Sequence, residues 1–500
     1  MVGVLNSKIS NMEDIDWFKE RCWSISANKE AALHECKRST TTTVVYPKST
    51  QEISELLSTN KDAAVAVVCG GHSSSNVAAW AYVDCDVVQD DDDDGAPTII
   101  LDMKDMSSVT VDKAASQITV GGGTIFRQLA QTCAEANGAL PIGTGDTIGV
   151  CGYALNGGLS GYFGKRLGML GQRVVNLEIV LADGTVKNLT PNSSGENGDL
   201  FRACLGAGSA MGVVTSLTFN MEEGTSFSTG GSIVVACANK ASTKPFLRKL
   251  LHFMREVVLS TASCSMEIVI TSDYTVICNF MFYDSFLGDP NIFVQQVRDD
   301  AKVCNVPIVA DDVTQHQTWF DAASSLWEVI AGLKGDPLCR LDHCIGTKSL
   351  PSDDVLDFVV DNWVGDYLEA APLSLVEIRT LGGATVAGSN LPSGNVNATF
   401  FADMIVCYDG SSVGSEEKSR ISQEVTQIIK DARKIGEVMV DFSATHSQSD
   451  SDSDLLPAGD EVFGSHENYE MVERVKQTVD STNRFRFHPF LHLLQSSSLE

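Results

Sequence analysis

The chain alternates short apolar runs of strand length with longer stretches whose apolar residues fall at helical spacing. TTTVVYP is a β-branched run stopped by Pro47, and Ser49 with Glu52 then forms an S-x-x-E capping pattern ahead of Ile53, Leu56 and Leu57. This predicts strand, turn, helix. VAVVC at 65–69 is a continuous apolar run of buried-strand length; Gly70 and Gly71 break it and present His72. IILDM and QITVGGG read as further strands. Thr124 to Ala136 reads as a helix with Ile125, Leu129, Ala130 and Cys133 on one face. VVNLEIVLADGTVKNLT predicts a hairpin turning at Asp183-Gly184, and DLFRACLGAGSAMGVVTSLTFN a helix, a glycine turn and a strand. Residues 1–38 read as helical and partly exposed.

The pattern shifts between Met221 and Gly230. From there to about residue 440, SIVVACA, EIVITS, TVICNFMFY, VEIRTLGGA and ATFFADMIVCY are strands, and KPFLRKLLHFMREVVL and DPNIFVQQVRDDAKVC are helices. Such a mixture predicts an α+β domain with one antiparallel sheet covered by helices. SATHSQSDSDSDLLPAGDE is polar and loop-like. FGSHENYEMVERVKQTVDSTNRFRF then returns to helical spacing through Tyr469, Val472, Val475 and Val479. The 500 residues exceed what one hydrophobic core serves. We divide the chain at 1–222, 223–440 and 441–500.

Composition narrows the function. The formal net charge of −29 argues against nucleic acid and anionic membrane surfaces as partners. No apolar stretch is long enough to span a bilayer, and no secretory signal is visible near the N-terminus, so a cytoplasmic location is expected. The 14 cysteines form no dense framework and no CxxC pair; they read as buried thiols in a reducing compartment. Cys339 and Cys344, with His343 between them, lack the further ligands a zinc site needs, and QDDDDDG reads as a solvated loop. No metal is expected.

Glycine then picks out Gly121 to Leu181, whose centre reads LPIGTGDTIGVCGYALNGGLSGYFGKRLGML. Neither helix nor strand interiors tolerate such density, since each interior glycine costs about 0.5–1 kcal/mol against alanine. Such a stretch suits backbone pressed against a large ligand, with amide groups available to an anion. GAGSAMG at 206–212 only approximates a dinucleotide fingerprint, because its third glycine comes late. GGLSG has misplaced glycines for a nucleophile elbow. Several glycine-rich strand exits in one domain, one of them carrying a histidine, together suit a diphosphate and a planar cofactor.

In order along the chain, GGHS (70–73), VGGGT (120–124), PIGTGDTIGVCGYALNGGLSGYFGKRLGM (141–169), EIVLADG (178–184) and DLFRACLGAGSAMGVVTSLTF (199–219) resemble the FAD-linked oxidases of the vanillyl-alcohol-oxidase and berberine-bridge-enzyme type. VCGYALNGG is similar to the 6-hydroxy-D-nicotine oxidase branch, and the C-terminal FGSHENYEMVERVKQTVDSTNRF to the berberine-bridge tail. The resemblance implies a PCMH-type FAD-binding domain at 1–222, a substrate domain at 223–440 and a tail, 441–500, that returns to the FAD domain. It implies cofactor contacts from Gly70, Gly71, His72, Ser73, Gly143, Gly145, Asp146, Ile148, Gly149, Cys151, Gly152, Tyr153, Asn156, Gly157, Gly158, Gly212, Val213 and Asn483. His72 falls where the family bonds covalently to the 8α-methyl of the flavin. The second, cysteinyl link of many relatives falls at Gly145, so a single link is expected.

For the chemistry, period two puts Glu377, Arg379 and Leu381 on one face of VEIRTLGGA. Arg379 stands where plant members place a base, and an ion pair with neighbours of Glu377 is the alternative. Tyr408 lies on another strand as a third catalytic candidate. The tail tyrosine of some plant members falls at Val462, and the family's aromatic-His-Arg stretch reads FFADM, so neither role carries over. The resemblance implies hydride transfer from a small organic substrate, such as a secondary metabolite, to flavin N5, with O2 as acceptor. A sugar or hydroxy-acid oxidase, a non-redox cyclase or isomerase on the same fold, and a non-catalytic flavin protein stand as alternatives.

Overall fold

The computed structural model describes residues 21, 24–26, 42–72, 97–223, 229–261, 263–283, 288–316, 318–324, 327, 338–385, 390–409, 413–435 and 459–487. Ser73 and the acidic run at 89–95 lie outside them, as does most of the 1–38 segment. A three-stranded parallel sheet opens the first unit, in the order Thr42–Val45, Thr98–Asp102, Ala64–Val68. The cap pattern after Pro47 starts the helix Thr50–Thr59: the Ser49 side chain accepts from the Glu52 amide at 3.2 Å. Glu52 returns its bond to the Lys48 amide at 2.9 Å, one residue before the position a reciprocal box uses. Ile53, Leu56 and Leu57 are buried, as their spacing predicts.

A five-stranded antiparallel sheet follows, ordered Val109–Asp112, Gln117–Gly121, Val213–Asn220, Val174–Val180, Val186–Leu189. Its last pair is the expected hairpin, with Gly184 at φ 89° in the turn. Helix Phe126–Glu135 begins later than its sequence suggests. Ile125 caps it from an extended conformation, and Phe126 takes the buried place expected of Ile125.

The second unit is an eight-stranded sheet in the order Ser24–Ser26, Leu338–Thr347, Phe400–Asp409, Leu375–Thr380, Cys264–Thr271, Thr275–Phe282, Thr229–Ala236, Ile308–Asp311. Every neighbouring pair is antiparallel except the first. Ser24–Ser26 is thus a strand on this sheet, not helix as the reading of 1–38 had it. One face packs against the helices Lys240–Phe253, Pro290–Val303, Asp353–Asn362 and Ser415–Ile435 around Phe246, Leu250, Trp363 and Ile421. The α+β architecture is the one the strand and helix pattern predicts.

The C-terminal helix His466–Val479 buries Met471, Val472 and Val475 in the core of the first unit. In its last turn the buried Lys476 ammonium donates to the carbonyls of Ala210 at 3.0 Å and Phe485 at 3.2 Å, and to Asp480 at 2.6 Å. The Arg484 guanidinium donates to the carbonyls of Leu57, Asn60, Ala63 and Ala182, and the Val65 amide donates to the Arg484 carbonyl at 2.8 Å. The tail is therefore tied to the mouth of the strand that leads to His72.

Candidate functional site

Two backbones meet where the strand Ala64–Val68 ends. A Cβ on Gly70 would lie 2.2 Å from the Gly149 nitrogen, and one on Gly149 would lie 2.4 Å from the Gly70 nitrogen. No other residue fits at either position. Around this contact Val150 N bonds Thr124 O at 2.9 Å, Phe126 N bonds Ile148 O at 3.0 Å and Arg127 N bonds Asp146 O at 2.8 Å. The Arg127 guanidinium pairs with the nearly buried Asp146 carboxylate. His72, partly buried, is oriented by a 2.7 Å hydrogen bond between its Nε2 and Thr147 Oγ1. A Cβ on Gly145 would stand 3.9 Å from the His72 ring.

The short helix Val150–Leu155 leaves this contact with Gly152 on its open side: a Cβ there would meet nothing within 4 Å. Asn156, also exposed, donates to the Gly152 carbonyl at 2.9 Å. Gly157 and Gly158 turn the chain back at φ 87° and 77°. Tyr153 packs edge-on against Phe126 at 4.9 Å and donates its hydroxyl to the Leu159 carbonyl. Burial pushes the Cys69 thiol up to about 11, against the helix amides of Cys151 and Gly152, and pushes Cys151 well above the usual thiol value. Both sulfurs are therefore neutral near pH 7 and unsuited to nucleophilic attack.

The stretch that touches His72 through residues 145–148 touches the large sheet through residues 159–162. One rung of that sheet is polar: Ser232, Asn279, Glu267 and Arg379 stand opposite one another across four strands. Ser232 Oγ donates to Asn279 Oδ1 at 2.6 Å, Asn279 Nδ2 to Glu267 Oε2 at 3.1 Å, and Arg379 Nε to Glu267 Oε1 at 2.9 Å. Arg379 also pairs with Glu377, whose cross-strand partner is the buried Asp403. Tyr162 reaches this rung from the glycine stretch and donates its hydroxyl to Glu267. Burial first, then the charge of Glu267, holds that phenol well above its ordinary value. Gly161 leaves room for Arg379, whose Cδ would stand 2.9 Å from a Cβ there.

The structure thus groups Gly70, Gly71, His72, Gly143, Gly145, Asp146, Ile148, Gly149, Cys151, Gly152, Tyr153, Asn156, Gly157 and Gly158 in one continuous region. Gly212 and Val213 lie elsewhere, at the start of the strand Val213–Asn220. There the missing Cβ of Gly212 (φ 154°) allows close approach to the Val180 carbonyl. Asn483, at φ 51° in the tail, has a buried Oδ1 that accepts no hydrogen bond. A polar cofactor hydroxyl would satisfy it, and the glycine cradle fits a flat ring, so the residues present fit FAD. Among the described residues no group of three or more His, Cys, Asp or Glu could hold a metal ion, and no helix is long and apolar enough to cross a membrane.

Two catalytic assignments change. Glu377 and Arg379 share a face as period two requires, but the guanidinium lies between two buried carboxylates. It stays protonated and cannot serve as a base. Tyr408 belongs to the opposite face, buried with Met404, Val406 and the covering helices, because its register sets it out of phase with Glu377. Glu267, Tyr162 and Asn279 were missed. The available signal was a lone carboxylate in the otherwise apolar run CSMEIVIT, since an isolated buried charge needs a partner.

Comparison with known proteins points to the same cofactor. Residues 41–190 match a family model described as an FAD binding domain. FAD-linked oxidoreductase azaL of Aspergillus niger is 30% identical over 178 residues, 36% of this chain and 34% of that protein. (R)-6-hydroxynicotine oxidase of Paenarthrobacter nicotinovorans is 31% identical over 159 residues, 32% of this chain and 31% of that protein. The matched part thus spans about a third of the length of these curated relatives. Among solved structures, 6-hydroxy-D-nicotine oxidase from Arthrobacter nicotinovorans superposes with a TM-score of 0.71 at 19% identity, covering 97% of this chain and 99% of the other. A single-site variant of berberine bridge enzyme gives 0.67 at 15%, covering 89% and 88%.

Proposed function

We propose that this chain, whose residues 41–190 match an FAD binding domain, is a member of the FAD-linked oxidases with a PCMH-type FAD-binding domain and an FAD-dependent oxidase of a small organic substrate, with O2 as electron acceptor. Bound FAD supplies the hydride acceptor and passes the electrons to oxygen. The chain's own part is to seat the ring on the backbone of Gly70, Gly145 and Gly149 and to place Asn483 against the cofactor's hydroxyl groups. The polar sheet face then lies over the substrate. Glu377 takes the proton from the substrate oxygen or nitrogen, and Arg379 positions that carboxylate. A relative named for 6-hydroxynicotine oxidation supports a secondary metabolite, and solved structures named as chitooligosaccharide and glucooligosaccharide oxidases keep a sugar as the second substrate class.

His72 carries a single covalent bond to the flavin in this reading. The supporting observation is its hydrogen bond to Thr147 at 2.7 Å. That bond occupies Nε2; in the tautomer in which Nε2–H donates to Thr147, the lone pair rests on Nδ1, the atom that would join the flavin. Gly145 offers no sulfur for a second bond, and the thiols of Cys69 and Cys151 are held neutral.

Acid precipitation of the purified protein tests this. Yellow colour that stays in the pellet of the wild type and is lost from that of His72→Ala is the expected outcome; colour released into the supernatant of the wild type removes the linkage. Oxygen uptake with a converted substrate supports the oxidase, whereas conversion without oxygen uptake or flavin reduction supports the non-redox alternative.

A further inference from the structure

In a chain with 65 acidic and 36 basic residues, a partly buried arginine without an acidic partner is unexpected. Arg202, on the helix Glu196–Ala207, is such a residue. Among the described residues its hydrogen bond runs from Nη2 to the neutral amide oxygen of Asn468 at 2.8 Å. Its Nε is buried and donates to nothing among the described residues. The nearest acid on the same helix, Asp199, is taken by Arg474 at 2.9 Å. The guanidinium charge is thus met by no carboxylate among the described residues, and a partly buried charge without a counter-charge is costly.

Arg202 lines a cavity of about 340 Å³ between its helix, the turn at 171–172, the loop at 191–195 and the segment 390–392. Its walls divide by chemistry. Phe201, Leu205 and Leu391 supply an apolar side; Arg202, Ser193, Gln172, the Asn390 amide and Asp199, whose carboxylate is neutralised by Arg474, supply a polar one. Ser193 Oγ already accepts from the Thr190 amide at 3.0 Å, so its own proton is available to a second partner. None of these residues belongs to the glycine cradle or the polar rung. The volume lies within the range of small-molecule sites.

We propose that this cavity is a second ligand site, taking a small organic carboxylate. The carboxylate accepts from Arg202, a charge-assisted bond stronger than a neutral one, and its apolar body lies against Phe201, Leu205 and Leu391. The ligand joins the helix Glu196–Ala207 to the segment that follows the strand of Glu377 and Arg379.

The test uses the full-length, flavin-loaded protein with benzoate as probe, followed by titration calorimetry and thermal melting. Benzamide is the neutral isostere and inorganic phosphate the bare anion. Saturable benzoate binding that raises Tm and leaves the flavin spectrum unchanged is expected. Benzamide should bind at least about tenfold more weakly, and Arg202→Gln should weaken benzoate by at least about tenfold. Leu391→Trp fills the apolar side while keeping Arg202, and it should also abolish binding. Equal benzoate affinity in wild type and both variants overturns the site. So does binding that perturbs the flavin and survives both substitutions, which is occupancy of the flavin site. Phosphate binding without benzoate binding overturns the organic class.

Discussion

Arg379 shows how a single side chain can be misread by position alone. Its place on the strand suits a base, yet its chemistry is that of a fixed cation shared by Glu267 and Glu377. Removing it leaves two carboxylates buried without a counter-ion, which costs about 3–5 kcal/mol in comparable cases. Arg379→Met should therefore lower the urea midpoint strongly at neutral pH, and an unchanged midpoint would mean that the pair is solvated. Tyr162→Phe removes one hydrogen bond from Glu267 and leaves Asn279 in place, so a smaller loss of about 1–3 kcal/mol is expected from the same titration.

At the scale of elements, glycines in the cradle separate by what a methyl group would meet. Gly149→Ala drives a Cβ into the Gly70 nitrogen and to 2.5 Å from the Cys69 sulfur, with both strand exits fixed by backbone bonds. The expected result is folded protein with little bound flavin and about 1–3 kcal/mol less stability, read from absorbance per chain and from melting. Gly152→Ala meets nothing and sits inside a helix, so stability should rise by about 0.5–1 kcal/mol. If flavin content falls in that variant too, the open side of this helix is where the cofactor lies. The tail responds differently: Arg484→Ala strands four carbonyls that the guanidinium now satisfies, and limited proteolysis should then release the C-terminal helix.

For the whole molecule, pH acts through buried groups of opposite sign. Burial raises Cys69 to about 11 and Cys133 and Cys264 to about 12 from the ordinary 9.0. The folded state keeps these protons where the unfolded chain loses them, so their contribution is complete below about pH 9 and is lost as pH rises toward 11–12. Lys165, buried with its ammonium donating to the Val258 and Thr261 carbonyls at 2.7 Å, is lowered from 10.5 to about 8 by burial. Between those values the unfolded chain binds the extra proton, so this lysine's contribution improves with rising pH. Chemical denaturation from pH 7 to 11 should show stability held or slightly raised to about pH 9 and then falling by several kcal/mol. Lys165→Met should remove the early gain and keep the later loss.

Local elements and the glycine-rich stretch were already legible along the chain. Strand-length apolar runs, the Ser49 cap, the Asp183-Gly184 hairpin and the glycine stretch are all set by short-range preferences, which neighbouring residues suffice to express. The same holds for Glu377 and Arg379 on one face, because that depends only on the period of a strand. That Tyr408 faces the other way was not legible, since the phase between two strands is set by register, a property of the pair. Nor was the meeting of Tyr162 with Glu267 across 105 residues, or the place of Ser24–Ser26 on the second sheet. Those contacts exist because buried charges must be paired and exposed strand edges covered, and only the packed chain decides which distant residue does so.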